Sequence, residues 1–563
     1  MLETYTSDAR VAYFSMEIAL DDRLPTYAGG LGVLAGDTLR SASDLALPVV
    51  AVTLASRQGH FRQLIDAAGR QTEVPDPWDP ALFTTPLPAR VAVDIEGRPV
   101  WVGGWLYELK RHGDRSQPVL LLDTDLEDNR PEDREITSHL YGGDNRYRLK
   151  QEIVLGLGGV RMLDALGFTV FRYHMNEGHS AFLGVELLRR HRIPAHLLRG
   201  RDSPYDLPRV RNLCCFTTHT PVEAGQDRFD YTLVREVMGE QVDHDLLPQL
   251  AGTDNLNMTC LALSLSEFVN GVAERHAEVA GKMYPGYKVH AITNGVHPFN
   301  WTAEPFRVLY DRHLPGWCHQ PELLGRADYL LSPDDVRAAR RLCQQALASE
   351  VLKRTGVQLD PARPTLGFAR RFTAYKRPDL LFADLERLRT IARAHPFQIV
   401  MAGKAHPADE EGKRLIEAVH RHMAALAGEI PVAYLPNYDI ALARLLVSGV
   451  DVWVNTPLPP LEASGTSGMK AAFNGVPSLS VLDGWWIEGC LDGLTGWRVG
   501  ARGSDPATHG DALYTRLERD VLPLYHGDPA GWARVMLGAI TKNAAQFNSH
   551  RMMRRYATEA YLA

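Results

Sequence analysis

The sequence predicts an α/β protein made of two doubly wound domains that face each other across a cleft. Three observations carry that prediction. Apolar, strand-like runs that end in polar residues or glycine alternate with helical patterns, as βα units do in parallel sheets covered on both faces. The alternation fills both halves of the 563 residues, a length that accommodates several domains. The chemically versatile residues cluster where the strand-like runs end, which is the side of an open sheet where ligands bind.

Val11 to Phe14 is the first run, and it leads to the glycine loop Ala28-Gly29-Gly30-Leu31-Gly32 and a helical pattern from Val33 to Leu45. Residues from about 58 to 122 break the rhythm; strand-like, with several Gly and Pro, they read as an antiparallel insertion. Thr169 to Phe171 reads as the next strand, leading to His174-Met175-Asn176-Glu177-Gly178-His179 and a helix-like run through His191. Leu213 to Phe216 leads to Thr217-Thr218-His219-Thr220, and Val289 to Ile292 leads to Thr293-Asn294-Gly295. The Pro-containing stretch Gly295 to Pro305 is the natural joint, which sets the first domain at 1–297. In the second, 298–535, Thr365 to Phe368 leads to Arg370-Arg371, and Ile399 to Met401 leads to Gly403-Lys404. Val452 to Val454 then leads to the long loop Asn455 to Gly468. Residues 536–563 read as a basic helix that returns to the first domain.

Composition narrows the function. A net charge of −7 offers no basic field for nucleic acid or an anionic membrane. No apolar run reaches the roughly 18 residues of a membrane span, the longest being about Leu45 to Ala55. The start of the chain has no basic segment followed by an apolar one, so the expected location is the cytoplasm. Six cysteines without a Cys-x-x-Cys pair make neither a disulfide framework nor a thiolate metal site. His174 and His179 lack the His-Glu-x-x-His spacing, and no metal is expected.

Four constellations carry chemistry, each with a plainer alternative. Gly29-Gly30-Leu31-Gly32 before a helix is either an anion-binding loop or a tight turn; the acidic partner of a dinucleotide site, about 20 residues on, is not evident. Arg370-Arg371 with Tyr375-Lys376-Arg377 concentrates cations at a strand end, which suits an anionic ligand but also a solvated surface. In Glu462-Ala463-Ser464-Gly465-Thr466-Ser467-Gly468-Met469-Lys470, small residues lead into a helix start. Lys470 among apolar neighbours suits either a Schiff base or a snorkelling surface lysine. Asp144-Asn145, His179, His219 and Asn294 are side chains suited to sugar hydroxyls, or structural residues at strand ends.

Taken together and in order, from about Val11 to Leu482, these motifs resemble the α-glucan phosphorylases, the glycogen, starch and maltodextrin phosphorylases. The glycine loop, Gly143-Asp144-Asn145, Asn176 to His179, Thr218-His219-Thr220, Thr293-Asn294-Gly295, Arg370-Arg371 with Tyr375-Lys376-Arg377, Gly403-Lys404-Ala405 and Glu462 to Lys470 carry the likeness. The resemblance implies a GT-B fold of two Rossmann-like domains and a pyridoxal phosphate cofactor linked to Lys470 as a Schiff base. It implies a hexosyltransferase that removes terminal α-1,4-linked glucose with inorganic phosphate and releases α-glucose 1-phosphate with retention. Arg371 and Lys376, helped by the N–H of Gly30, would grip the substrate phosphate. Arg370, Lys376, Gly465 and Thr466, with Tyr375 and Gly30 nearby, would hold the cofactor. Gly29, Gly30, Leu31, Asp144, Asn145, His179, His219, Asn294, Arg371, Glu462, Ala463, Ser464 and Gly465 would line the substrate site, with His219 close to the departing glycosidic bond.

Departures from the family pattern refine these expectations. The match begins almost at residue 1, which implies an enzyme without the large members' N-terminal phosphorylation switch and nucleotide site. Arg370 stands where the large members have lysine, and Ser467-Gly468 replaces a Gly-Asn pair; both keep the charge or the backbone donors. Asp439 replaces an arginine, which leaves the acceptor-chain contacts open. A homodimer is consistent with the family. Three other readings compete: a nucleotide-sugar transferase of the same fold, a cofactor enzyme acting on amino acids, and a non-catalytic glucan-binding protein. The first would carry a second glutamate eight positions after Glu462, where this chain has Lys470.

Overall fold

A computed structural model of the chain describes residues 2–110, 116–198, 203–222 and 225–562. Two large sheets organise them. The first contains β1 (Val11–Ser15), β2 (Val49–Leu54), β5 (Arg98–Lys110), β6 (Ser116–Asp123), β7 (Arg172–Asn176), β8 (Cys214–Thr217), β9 (Phe268–Gly271) and β10 (Val289–Ala291). Its strand order is β10-β9-β8-β7-β1-β2-β6-β5, followed by Thr85–Pro86, with Val91–Ile95 also paired to β5. From β10 to β6 every pairing is parallel. The second sheet is parallel throughout, in the order β13-β12-β11-β14-β15-β16. These strands are β11 (Thr365–Ala369), β12 (Gln398–Ala402), β13 (Val432–Leu435), β14 (Val452–Asn455), β15 (Ser478–Val481) and β16 (Gly496–Val499). Central strands buried on both faces read as continuous apolar runs, which is why they were visible in the sequence.

Two expectations need correction. The strand placed at Thr169 to Phe171 lies one step later, at β7, and Phe171 is 55% exposed. The polar residues His174 and Asn176 occupy the interior of β7 because their side chains find partners. His174 bonds Tyr561 Oη and Thr217 Oγ1, and Asn176 Nδ2 donates to Ser15 Oγ. The region 58–122 pairs antiparallel within itself, as expected, but its last strand also joins the first sheet in parallel. Only the antiparallel hairpin β3 (Arg62–Ile65) and β4 (Gln71–Val74) stands apart. Its later strands widen the first sheet, with β6 parallel to β2 and β5 antiparallel to β6.

Helix α1 (Gly30–Asp44) starts inside the glycine loop and packs its apolar side on the first sheet, where Leu34, Ala35 and Leu39 share a core with Val11 and Tyr13. Met552, Met553, Tyr556 and Tyr561 from the end of the chain complete that core. The two stretches 295–296 and 547–549 run side by side, bridged at Val296 and Asn548. Gly295 is required there, because a Cβ would lie 2.2 Å from the carbonyl carbon and oxygen of Asn548. Beside this crossing His297 and His550 flank Asp44. His297 Nδ1 accepts the N–H of Asn300, so its Nε2 carries the proton and donates to Asp44 at 2.9 Å.

The hairpin reaches the second sheet. Gln63 donates through Nε2 to Gly403 O (2.9 Å) and accepts the N–H of Asn437 (2.8 Å), while its own N–H donates to Asn437 Oδ1 (3.1 Å). Gln71 exchanges two hydrogen bonds with the backbone of Ala405, at 2.9 and 3.0 Å. Among the described residues, no helix is long and apolar enough to cross a membrane.

Candidate active site

Where the strand order of a parallel sheet reverses, the loops that leave the carboxyl ends diverge and open a crevice. In the second sheet that point lies between β11 and β14. Arg370 follows β11 directly; its guanidinium bonds Asn455 at the end of β14 and donates to Glu462 Oε2 at 2.8 Å. Lys376, on a single turn after Thr373, places Nζ 2.7 Å from both oxygens of Glu462 and 4.4 Å from the ring centre of Tyr375. Glu462 and Lys376 are buried. Burial alone would raise the Glu462 carboxyl, but the two cations outweigh it and hold the group at about 2.

The loop carrying Glu462 is clasped from behind. Glu462 N–H donates to Asp483 Oδ2 (2.9 Å), Gly484 N–H donates to Asp483 Oδ1 (3.0 Å), and Trp485 N–H donates to Ser464 O (2.9 Å). Burial is the main cause that lifts Asp483 to about 6. Ala463 lies between these clasped residues. Gly465 turns the chain at φ +73°, a conformation glycine adopts without strain, and Thr466 then precedes α3 (Ser467–Ala472).

Lys470 sits in α3, buried among Met469, Ala471 and Ala472. Its Nζ lies 4.1 Å from the ring centre of Trp301 and, among the described residues, has no hydrogen bond or ion pair. Trp301 is itself fixed, its Nε1 donating to buried Asp37 at 2.7 Å. Burial pulls the Lys470 amine down to about 8, toward the neutral, nucleophilic form. Arg371 points to the opposite situation: it is exposed and, among the described residues, forms no ion pair or hydrogen bond.

In the first sheet the order reverses at β1 and β7. Glu17, just after β1, accepts the N–H groups of Ala28 (2.6 Å) and Gly29 (3.1 Å) and the hydroxyl of Tyr141 (3.0 Å). Gly30 and Leu31 then open α1, whose first-turn N–H groups have no intrahelical acceptors. A Cβ on Gly29 or Gly30 would meet nothing within 4 Å, whereas on Gly32 it would lie 2.6 Å from Glu17 Oε2. The glycine loop is thus a carboxylate-tied turn on one side and open space on the other.

At the ends of β7 and β8, Glu177 accepts the N–H of His219 at 2.7 Å, and His219 Nε2 bonds Asn176 Oδ1 at 2.7 Å. Glu177 is buried, adopts φ +72°, and is raised to about 7 by burial. His219 is pushed down to about 3 by burial and is neutral at physiological pH. Asn294 shares one small cavity with His219 and Asn176, and its buried Oδ1 has no partner. His179 lies 3.4 Å from Asp227, which Arg148 binds at 2.9 Å. Asp144 caps α2 (Asn145–Ile153) by accepting the N–H of Tyr147, and both Asp144 and Asn145 are exposed.

Direct contact therefore joins Arg370, Tyr375, Lys376 and Glu462, while one cavity joins His219 and Asn294. Arg371, Asp144 and Asn145 stand apart from these contacts. The sequence reading left out Glu17, Trp301, Asn455 and Asp483. A lone acid in the apolar run Met16-Glu17-Ile18, and another in Leu482-Asp483-Gly484 after an apolar strand, were signals that could have found two of them.

The family model for carbohydrate phosphorylases matches residues 222–490. A maltodextrin phosphorylase of Thermococcus litoralis is 36% identical over 98% of this chain and 70% of its own length. A glycogen phosphorylase of Mycobacterium tuberculosis is 36% identical, with the same shares. One of Aquifex aeolicus is 35% identical over 98% of this chain and 86% of its own.

Proposed function

The chain belongs to the carbohydrate phosphorylase family, and from that membership we propose that it is an α-glucan phosphorylase acting on terminal α-1,4-linked glucose of glycogen, starch or maltodextrin, with inorganic phosphate as co-substrate. The two sheets are then the two Rossmann-like domains of a GT-B fold, 1–297 and 298–535, with 536–563 returning to the first. The reaction site lies in the cleft between them.

One observation carries the reading: a buried amine with no hydrogen bond or ion pair among the described residues, Lys470, in the same loop-and-helix segment as a buried carboxylate held by buried Lys376 and part-buried Arg370. A buried ammonium is costly unless it is paired or neutral, so a lysine in this setting suits covalent attachment. The residues fit pyridoxal phosphate: Lys470 would anchor its aldehyde carbon, and Arg370 and Lys376, with the backbone of Gly465 and Thr466, would neutralise its phosphate. When bound, the cofactor supplies an acidic phosphate group beside the substrate phosphate.

Arg371, exposed and unpaired, and Lys376 would hold inorganic phosphate, with the start of α1 at Gly30 assisting. Two phosphates repel strongly in a partly dry cleft, and the concentration of cations after β11 offsets that repulsion. The C1–O4 bond of the terminal glucose breaks, the substrate phosphate gives its proton to O4, and a phosphate oxygen bonds C1 from the face that O4 left, so the product retains the α configuration. His219 is a neutral imidazole already oriented by Asn176 and Glu177, suited to hydrogen-bonding near that bond. Glu462, Ser464, Gly465 and the unpartnered Asn294 Oδ1 would pair glucose hydroxyls, which rejects sugars that lack them.

The test is glucose 1-phosphate release from maltodextrin with and without inorganic phosphate. Release that requires phosphate supports the reading; hydrolysis to free glucose, or transfer from a nucleotide sugar, overturns it.

A further inference from the structure

Two half-buried histidines outside the constellations described above face each other across the two sheets. His60 stands just before the hairpin, and His406 follows the loop that the hairpin glutamines fix. Their ring centres are 5.6 Å apart with planes inclined at 36°. The approach is held on both sides, because Lys404 Nζ donates to Phe61 O at 3.1 Å and Gln71 binds the backbone of Ala405. Tyr141 extends the row of rings, 6.4 Å from His60 and 5.8 Å from His179.

Backbone contacts set the proton of each imidazole. His60 Nδ1 lies 3.3 Å from Leu140 O; a carbonyl only accepts, so Nδ1 carries the proton and Nε2 is left as an acceptor. His406 Nδ1 accepts the N–H of Ala408 at 3.2 Å, so its Nε2 carries the proton and is left as a donor. The pair thus offers one acceptor and one donor at the spacing of neighbouring side chains. Burial, together with Arg371 and Lys404, keeps His60 neutral down to about 4, and burial with Arg371 lowers His406 as well. Neutral imidazoles present one donor and one acceptor each, which suits hydroxyls, and flat rings suit the apolar face of a sugar.

We propose that His60 and His406 form a hydroxyl-binding clamp for the glucose unit on the leaving side of the scissile bond, a specificity determinant supplied jointly by the β3–β4 hairpin and the loop after β12. The proposal rests on the phosphorylase reading. It follows that the hairpin, which joins the first half of the chain to the rim of the second sheet, shapes the acceptor end of the substrate. Arg371, whose charge acts on both rings, follows Arg370 of the Glu462 cluster in the chain, so the pair stands near the phosphate cations while giving the leaving glucan partners of its own.

Binding and kinetics of the full-length protein separate the alternatives. In phosphorolysis of maltoheptaose, His60→Ala and His406→Ala each raise the glucan KM about tenfold while the phosphate KM moves less than about twofold. His406→Gln, which keeps an N–H donor, recovers much of the loss, as a purely structural role would not allow. Calorimetric Kd values for maltoheptaose alone shift in parallel with KM. A phosphate KM that rises as much as the glucan KM, or a glucan Kd that moves in neither variant, overturns the clamp. If the wild type binds maltoheptaose and releases no glucose 1-phosphate, the phosphorylase reading fails while the Kd comparison still judges the clamp. Should His406→Ala not fold, His60→Ala and His406→Gln carry the same comparison.

Discussion

Glu462 shows how one side chain organises the charges of the site. Buried Lys376 and part-buried Arg370 would be left unpaired without their carboxylate, as the carboxylate would be without its cations. The folded protein keeps Glu462 ionised down to about 2, against an ordinary value of 4.5. Its stabilisation is therefore complete above about 4.5 and is lost as pH falls toward 2, because over that interval the unfolded chain takes up a proton that the folded protein refuses. Glu462→Gln is expected to lower stability by about 3 kcal/mol at neutral pH, measured by urea unfolding. The gap between wild type and variant should close as pH approaches 2. A gap that does not change with pH would mean that the carboxylate charge is not what Arg370 and Lys376 respond to. The residue types of this cluster were legible in the sequence, since four cations beside a strand end and a lysine among small residues both stand out. The partner of each was not. Trp301 and Asp37 come from distant stretches, and only the fold sets them beside Lys470.

At the scale of elements, the hairpin β3–β4 is the piece whose role was least visible. Its strands alternate exposed and partly buried residues like any surface ribbon, and nothing in Arg62-Gln63-Leu64-Ile65 announces that Gln63 is buried against another sheet. Glutamines that exchange hydrogen bonds with backbone groups fix a register without charge, and losing one leaves buried donors and acceptors unpaired. Gln63→Ala is expected to cost about 1–3 kcal/mol in urea unfolding. Because Gln63 Nε2 also donates to Gln71 Oε1 at 2.8 Å, the double variant with Gln71→Ala should cost less than the sum of the singles. Strict additivity would show that the two glutamines act independently. The parallel strands were easier to read: β11, β12 and β14 lie within a residue or two of the apolar runs that mark them. β7 was misplaced because its interior holds His174 and Asn176, polar residues that a hydrophobic pattern excludes and that neighbouring strands and Tyr561 satisfy.

For the whole molecule, the crossing of 295–296 with 547–549 is the narrowest constraint. Two backbones meet at Gly295 with no room for a methyl group, so Gly295→Ala must push whole segments apart. It is expected to destabilise the protein by more than about 2 kcal/mol, whereas Gly281→Ala, in the helix Glu274–Met283 with nothing within 4 Å of its added Cβ, should be neutral or stabilise by about 0.5–1 kcal/mol. Equal effects of the two substitutions would show that the crossing tolerates adjustment. The tight contact of Gly295 with the end of the chain was not legible in the sequence, since contacts between residues more than 250 positions apart leave no local signal.

The central claim, a buried lysine that anchors pyridoxal phosphate in an α-glucan phosphorylase, is tested most directly at Lys470 itself. The purified protein is incubated with pyridoxal phosphate across a pH series, reduced with borohydride, and mapped by peptide mass. The expected result is one pyridoxyl group on Lys470, with yield rising through pH 8 and then levelling, as the lowered amine requires. Label scattered over surface lysines with Lys470 unmodified would contradict the claim.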